Sequence, residues 1–212
     1  MGGEPRRFDL TMLHAAYDAF RRDTARLETA ADEAGAPLDA ATGIWSLFAF
    51  HWRVQERTEK NTLWTVMYAK DADAPGRLKP VLDAMTPRAA KVVALFDAVD
   101  AALEHRDRPM VAHYARKLRT AVNALLDYKE SDVLPLIPET LTAFEWGTFD
   151  VEFRREIGLR GFGVFVPWLL DGAPEATRRA VLRLLPPPLR LAYRTRWRPR
   201  YRRRFRPVVP AC

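Results

Sequence analysis

Four long stretches of this chain carry an apolar residue at every third or fourth position, and short clusters of Gly, Pro and Asp separate them. Alternation by three and four keeps such residues on one face of a 3.6-residue helix. The first stretch runs from about Asp9 to Ala34 on Leu10, Leu13, Tyr17, Phe20, Thr24 and Leu27, and stops at Gly35-Ala36-Pro37. The second runs from about Asp39 to Lys70 on Ile44, Phe48, His51, Gln55, Glu59, Thr62 and Val66. The third runs from about Leu78 to His105 on Leu82, Met85, Ala89, Val92, Phe96, Val99 and Leu103. The fourth opens at Arg108-Pro109, a place where proline's missing N–H costs no hydrogen bond. It continues on Val111, Tyr114, Leu118, Val122, Leu125, Lys129 and Asp132 and ends at Pro135. Long helices joined by short loops must be antiparallel neighbours. The sequence therefore predicts an all-α, up-down-up-down four-helix bundle over residues 1–137. No alternating run flanked by hairpin turn residues argues for a strand.

Residues 138–212 read as a helical extension packed on that bundle. One helix face is predicted on Leu141, Phe144, Phe149 and Phe153. The run from Gly161 to Leu170 is too apolar all round to face water and too short to span a bilayer, so no membrane partner is expected. The net charge of +7 is concentrated in the last part of the chain, where nine arginines and no acid lie between Arg190 and Arg206. Without them the remainder stands at −2. Leu189, Leu191, Tyr193, Trp197, Tyr201 and Phe205 interleave with these arginines and predict a tail that packs on an acidic face of its own domain. Such a tail can grip phosphates, but no nucleic-acid-binding fold accompanies it, so nucleic acid is disfavoured as a partner. The single cysteine, Cys212, excludes an intrachain disulfide, and the N-terminus shows no apolar leader; both favour the cytoplasm.

The second stretch carries His51, Gln55 and Glu59 in successive turns where a core-facing stripe should be apolar. Buried polar groups need partners, so this stripe predicts a polar centre inside the bundle. Trp45, Trp52 and Trp64 on the same stretch are expected to pack against the C-terminal segments.

The order of residues resembles the hemerythrin-like, or HHE cation-binding, family. The matching segments are DLTMLHAAYDAFRRDTARL (9–27), IWSLF (44–48) with ERTEKNTLW (56–64), LDAM (82–85) and LLDYKESDVLPLIPETLTAFEW (125–146). The segment from Pro167 onward is similar to a tail found in one bacterial branch of that family. The resemblance covers nearly the whole chain and implies a bundle holding two metal ions, usually iron. The implied ligands are one His on the first helix, His-x-x-x-Glu on the second, one His on the third and His-x-x-x-Glu on the fourth. Imidazole and carboxylate suit iron, and i, i+4 spacing puts both on one inward face.

Most of these ligands are missing here. The implied positions hold Tyr17, Gln55, Glu59, Ala89, Leu125 and Lys129, with Tyr128 or Glu130 as alternatives at the last place. Only Glu59 remains, and one carboxylate does not hold two irons, so no metal and no other cofactor is expected. His14 and His51 do not restore a site. On antiparallel helices their offsets from Tyr17 and Gln55 separate them by roughly 10 Å along the axis, whereas metal–ligand bonds are about 2 Å. His105 and His113 are expected on solvated faces.

Glu59 and Lys129 should then face each other, the ammonium neutralising the carboxylate as a metal would. Tyr17, Gln55, Glu59 and Lys129 can pair as a purely structural network. Alternatively, the small Ala89 leaves a pocket lined by Gln55, Leu125, Tyr128 and His51 that takes a small organic molecule in the bundle core. A third reading makes Glu59, Lys129 and Tyr17 the acid–base groups of a cofactor-independent isomerase, cyclase or lyase. Residual binding of iron with O₂ or NO is the last alternative. No phosphate-binding Gly-rich loop or Ser-His-Asp set points elsewhere.

Overall fold

The computed structural model describes residues 8–33, 37–73 and 76–205, and all the regular structure among them is helical. Cys212 and Arg206 lie outside the described residues. The first four long elements are α1 (Thr11–Asp32), α2 (Leu38–Glu59) running on into α3 (Thr65–Asp73), α4 (Leu78–Glu104) and α5 (Arg108–Tyr128). A short α6 (Ile137–Thr140) leads to α7 (Ala143–Leu170), α8 (Glu175–Leu184), α9 (Pro187–Ala192) and α10 (Arg198–Phe205).

Local chemistry sets the ends. Arg106, at φ 53°, turns the chain out of α4, and Asp107 caps α5 by accepting from the Met110 N–H at 3.1 Å. Thr142 and Glu145 form a reciprocal capping box at the start of α7. Gly158 bends α7 sharply at φ 65°, a conformation that an L side chain resists. Arg22 of α1 donates to the Trp168 carbonyl at 3.0 Å and also to that of Asp171, and Arg26 pairs with the Asp171 carboxylate at 3.0 Å. Two cations thus sit at the C-terminal end of α7, where the helix dipole is negative.

Packing follows the apolar stripes. α1 lies against α2 and α5, α5 against α4, and α7 against α2 and α1. Tyr17 near the start of α1 meets residues at the ends of α2 and α5, so α1 is antiparallel to both. Phe20 touches Phe48, Trp52 and Trp168 with ring centroids 4.9–5.7 Å apart, joining α1, α2 and α7 in one core. Trp168 also donates to the buried Asp23 at 2.6 Å. The apolar run of α7 is buried as expected from Phe165 through Leu170, Pro167 included. In the tail, Tyr193 and Tyr201 are buried. The Trp197 indole rests against Gly163, where an added Cβ would stand 3.1 Å from Nε1.

The stripes depart from expectation at two wide turns. α2 and α3 are joined by a π-helical turn, Lys60–Trp64, and α5 ends in another, Lys129–Val133. A π turn closes i→i+5 and so carries one extra residue. Past the first, Met67 is fully buried and Val66 only partly; past the second, Val133 is buried and Asp132 exposed. Each stripe has slipped by one position. Three other expectations fail for simpler reasons. Phe144 is 84% exposed because it falls in the first turn of α7, beyond the surface that α7 covers. Leu191 is exposed because α9 lies at the surface and buries none of its residues fully. Trp45 packs on Phe96 and donates to Asp100, so it serves the α2–α4 contact rather than the extension.

The wide turns give a test. Deleting the exposed Asn61 removes the extra residue and leaves Glu59 and Met67 on one stripe. The variant stays helical, with Tm lower by only about 2–8 °C, the equivalent of about 1–2 kcal/mol. Deleting Thr120, inside the uninterrupted part of α5, rotates Lys129 by about 100° relative to the rest of the helix. Thermal melts monitored by circular dichroism should show loss of cooperative unfolding in that second variant.

Candidate functional site: a buried ammonium between two glutamates

The polar stripe of α2 ends at the first π turn, and Lys129 opens the second. Both ends point into the same space. Glu59 and Lys129 have no solvent-exposed surface, and Lys129 Nζ donates to Glu59 Oε2 at 2.7 Å. Lys129 also donates to Glu56 Oε1. The other oxygen of Glu59 accepts from the Tyr17 hydroxyl at 2.9 Å and from Gln55 Nε2 at 2.8 Å. The ammonium lies 5.7–6.0 Å from the ring centroids of Tyr17, Trp64 and Trp52, within reach of their negative faces. Every charge in this centre is therefore met by a partner from another helix or an adjacent turn.

Four sequence-predicted residues, Tyr17, Gln55, Glu59 and Lys129, meet here. The others do not join them. Leu125 is buried on α5 as an apolar residue, and Ala89 is half-buried on α4. Tyr128 turns to α4, donating to the Val81 carbonyl at 2.9 Å under the Arg88 guanidinium. Glu130 faces away and accepts from Arg21 at 2.6 Å, close to His14, so Lys129 is the inward residue. His51 stacks on Trp168 at 4.2 Å.

Glu56 is the member that sequence reading missed. It lies beside the stripe, three residues before Glu59, and keeps 29% of its side chain exposed. Its signal is the i, i+3 pair of carboxylates on α2, legible once a long cation is placed opposite.

Burial and charge act on each group in a definable way. Burial alone would lower the Lys129 ammonium, but Glu56 and Glu59 outweigh it and raise the group above its ordinary range. Burial, reinforced by Glu59 and Glu56, raises the Tyr17 phenol. Burial also raises Glu56, and Glu59 adds to this while Lys129 opposes it. Tyr17 and Lys129 are thus fixed as proton-bearing donors at neutral pH. His51 behaves in the opposite sense: burial lowers it from 6.5 to about 3, opposed by the nearby Leu47 carbonyl, which stands outside regular hydrogen-bond geometry, and helped to a lesser degree by Arg22.

The residues at the positions implied by the resemblance do not fit a metal pair. Ala89 and Leu125 offer no donor atom, and the lone carboxylate Glu59 is already engaged by an ammonium. Among the described residues, no three His, Cys, Asp or Glu side chains converge as metal ligands. Nor, among them, is any helix long and apolar enough to cross a membrane. Comparisons with protein-family models, with curated proteins and with solved structures find no match.

Two measurements probe the centre. Lys129→Met leaves Glu59 buried without a counter-charge and should cost about 3–5 kcal/mol in urea unfolding, much of it restored by adding Glu59→Gln. On pH, the folded Lys129 and Tyr17 are both raised above their unfolded values of 10.5 and 10.0. Their stabilisation is present below those values and is lost as pH climbs past about 10. His51 is depressed when folded, so stability falls as pH drops below 6.5 toward about 3. Urea midpoints measured across pH should show a smaller acid slope in His51→Phe.

Proposed function

We propose that this chain is a metal-free relative of the hemerythrin-like proteins. In this reading, an up-down-up-down four-helix bundle with a helical extension uses Lys129 as its internal cation and binds a small organic molecule beside that centre. One observation carries the reading: the Lys129 ammonium is held by Glu59 and Glu56 where the resemblance places a metal ligand. The centre is closed, so the molecule binds next to it rather than within it. Gln55 links the two, since it donates to Glu59 and also borders a hollow of about 60 Å³ between α1, α2 and α7. Phe149, Phe153, Phe165 and Leu185 make its walls apolar, and Asp150 and Arg154, paired at 2.9 Å, stand at its edge. A ligand of few heavy atoms, apolar with one hydrogen-bonding end at Gln55, matches this lining.

The acid–base alternative has one supporting observation of its own. Glu56 is the only member of the centre that reaches solvent, and burial raises its carboxyl. In that reading a carboxylate is the base, and Lys129 and Tyr17 hold their protons as fixed donors.

Elemental analysis after refolding in ferrous iron tests the first part: iron should be far below one per chain, and stoichiometric iron at this centre would refute it. Thermal shift with phenol and propionamide tests the second. A ligand at a hundred times its Kd stabilises by about 2.7 kcal/mol. Leu185→Phe, which fills the hollow, should abolish the shift. A shift that survives this filling places the binding elsewhere.

A further inference from the structure

A larger concavity, about 910 Å³, lies on the other side of α2, between α7 and the C-terminal helices. Its volume falls in the range of about 300–1,000 Å³ usual for small-molecule sites. Arg196, Arg200 and Arg204 line it from successive turns of the tail, and Arg160 faces them from α7. No Asp or Glu is among the lining residues, and among the described residues none of these four guanidinium groups forms an ion pair with a carboxylate. The sequence predicts a tail packed on an acidic face with its aromatics as packing residues; Tyr193, Trp197 and Tyr201 do pack, while these arginines line the concavity rather than meeting carboxylates. The apolar part of the lining comes from Phe50, Val164, Trp197 and Phe205, and Phe50 is 48% exposed at the rim.

His51 supplies the second observation. It lines this concavity from α2 and is 1% exposed, and neither ring nitrogen has a partner in regular hydrogen-bond geometry among the described residues, the Leu47 carbonyl one turn back being the polar group that acts on the ring. A buried polar group without a partner costs free energy that a bound molecule can recover. Charged groups near the imidazole are few. Arg22 of α1 lies over the Trp168 ring that stacks on it, and the groove arginines stand above; Phe165 and Trp168 present only rings from α7.

We infer that this concavity binds an amphipathic organic anion, a carboxylate or phosphate monoester on an acyl or aryl body. The head is held by Arg160, Arg196 and Arg200, the body lies over Phe50, Val164 and Trp197, and a polar atom meets His51. Guanidinium groups grip such heads through paired, charge-assisted hydrogen bonds. The arginines converge on one hollow rather than tracking along an open surface, which favours a single small ligand over a nucleic-acid strand.

Isothermal titration of the full chain tests this with dodecanoate and dodecyl phosphate as probes. Each should bind at one molecule per chain, with dodecanol and inorganic phosphate at least about tenfold weaker. Arg196→Gln/Arg200→Gln should lose at least about tenfold in affinity with helicity unchanged, while the off-groove Arg203→Gln keeps it. His51→Phe should weaken binding while leaving the unliganded protein at least as stable at neutral pH. Equal affinity for dodecanol, or indifference to the double arginine variant, overturns the inference. So does tighter binding of a thymidine oligonucleotide, which makes this face a nucleic-acid surface. Binding to phosphatidylglycerol vesicles with none to monomeric dodecyl phosphate also overturns it and makes the face a membrane contact.

Discussion

An ammonium held between two carboxylates, out of reach of water, is the constraint on which this structure turns. Removing Lys129 and Glu59 from solvent costs several kcal/mol for each ion, and their attraction offsets this only with good geometry and full hydrogen bonding. The centre meets that condition. Glu59 accepts three hydrogen bonds, and Lys129 reaches two carboxylates and three rings. Such a pair adds little net stability, but it tolerates few arrangements. It fixes the start of α1 against the ends of α2 and α5, since any slide of one helix separates charges that have no other partner.

The π turns belong to the same constraint. A long helix that presents one particular residue inward must also present its later apolar residues inward, and the two demands need not share a period. The wide turn after Glu59 and the one from Lys129 reconcile them by one residue each. They sit where the polar centre ends and the apolar core resumes. This is why Met67 and Val133, rather than their predecessors, complete the core.

How much of this was legible in the sequence depends on what carries periodicity. The long helices were, because three-and-four spacing is a direct imprint of the helix on residue choice, and the Gly/Pro breaks bound them well. The facing of Glu59 and Lys129 was legible through the resemblance, which sets both at implied ligand positions, and through the need of a buried charge for an opposite one. Glu56 was not, for it lies beside the stripe and gains meaning only from the reach of Lys129. The π turns were hidden because a single extra residue leaves local composition unchanged and shows itself only in the phase of the residues beyond it. The role of the tail was half legible. Its aromatics announced packing, but its arginines looked like partners for the acidic body, and only the fold shows several of them lining a hollow instead. His51 was placed in the polar centre by its stripe position, whereas the arrival of Trp168 from α7 draws it to a different neighbourhood.

The contact between Gly163 and Trp197 carries a consequence for sequence change. A Cβ at 163 would stand 3.1 Å from the indole Nε1, so the ring would have to give by a few tenths of an ångström and the two positions share one allowance of space. Growth at either presses on the other, and drift at one is coupled to drift at the other across 34 residues of chain. Related chains that keep this tail docked should vary at the two sites together, a methyl at the first accompanied by a smaller ring or an aliphatic group at the second. Chains in which the two vary independently should hold the tail elsewhere.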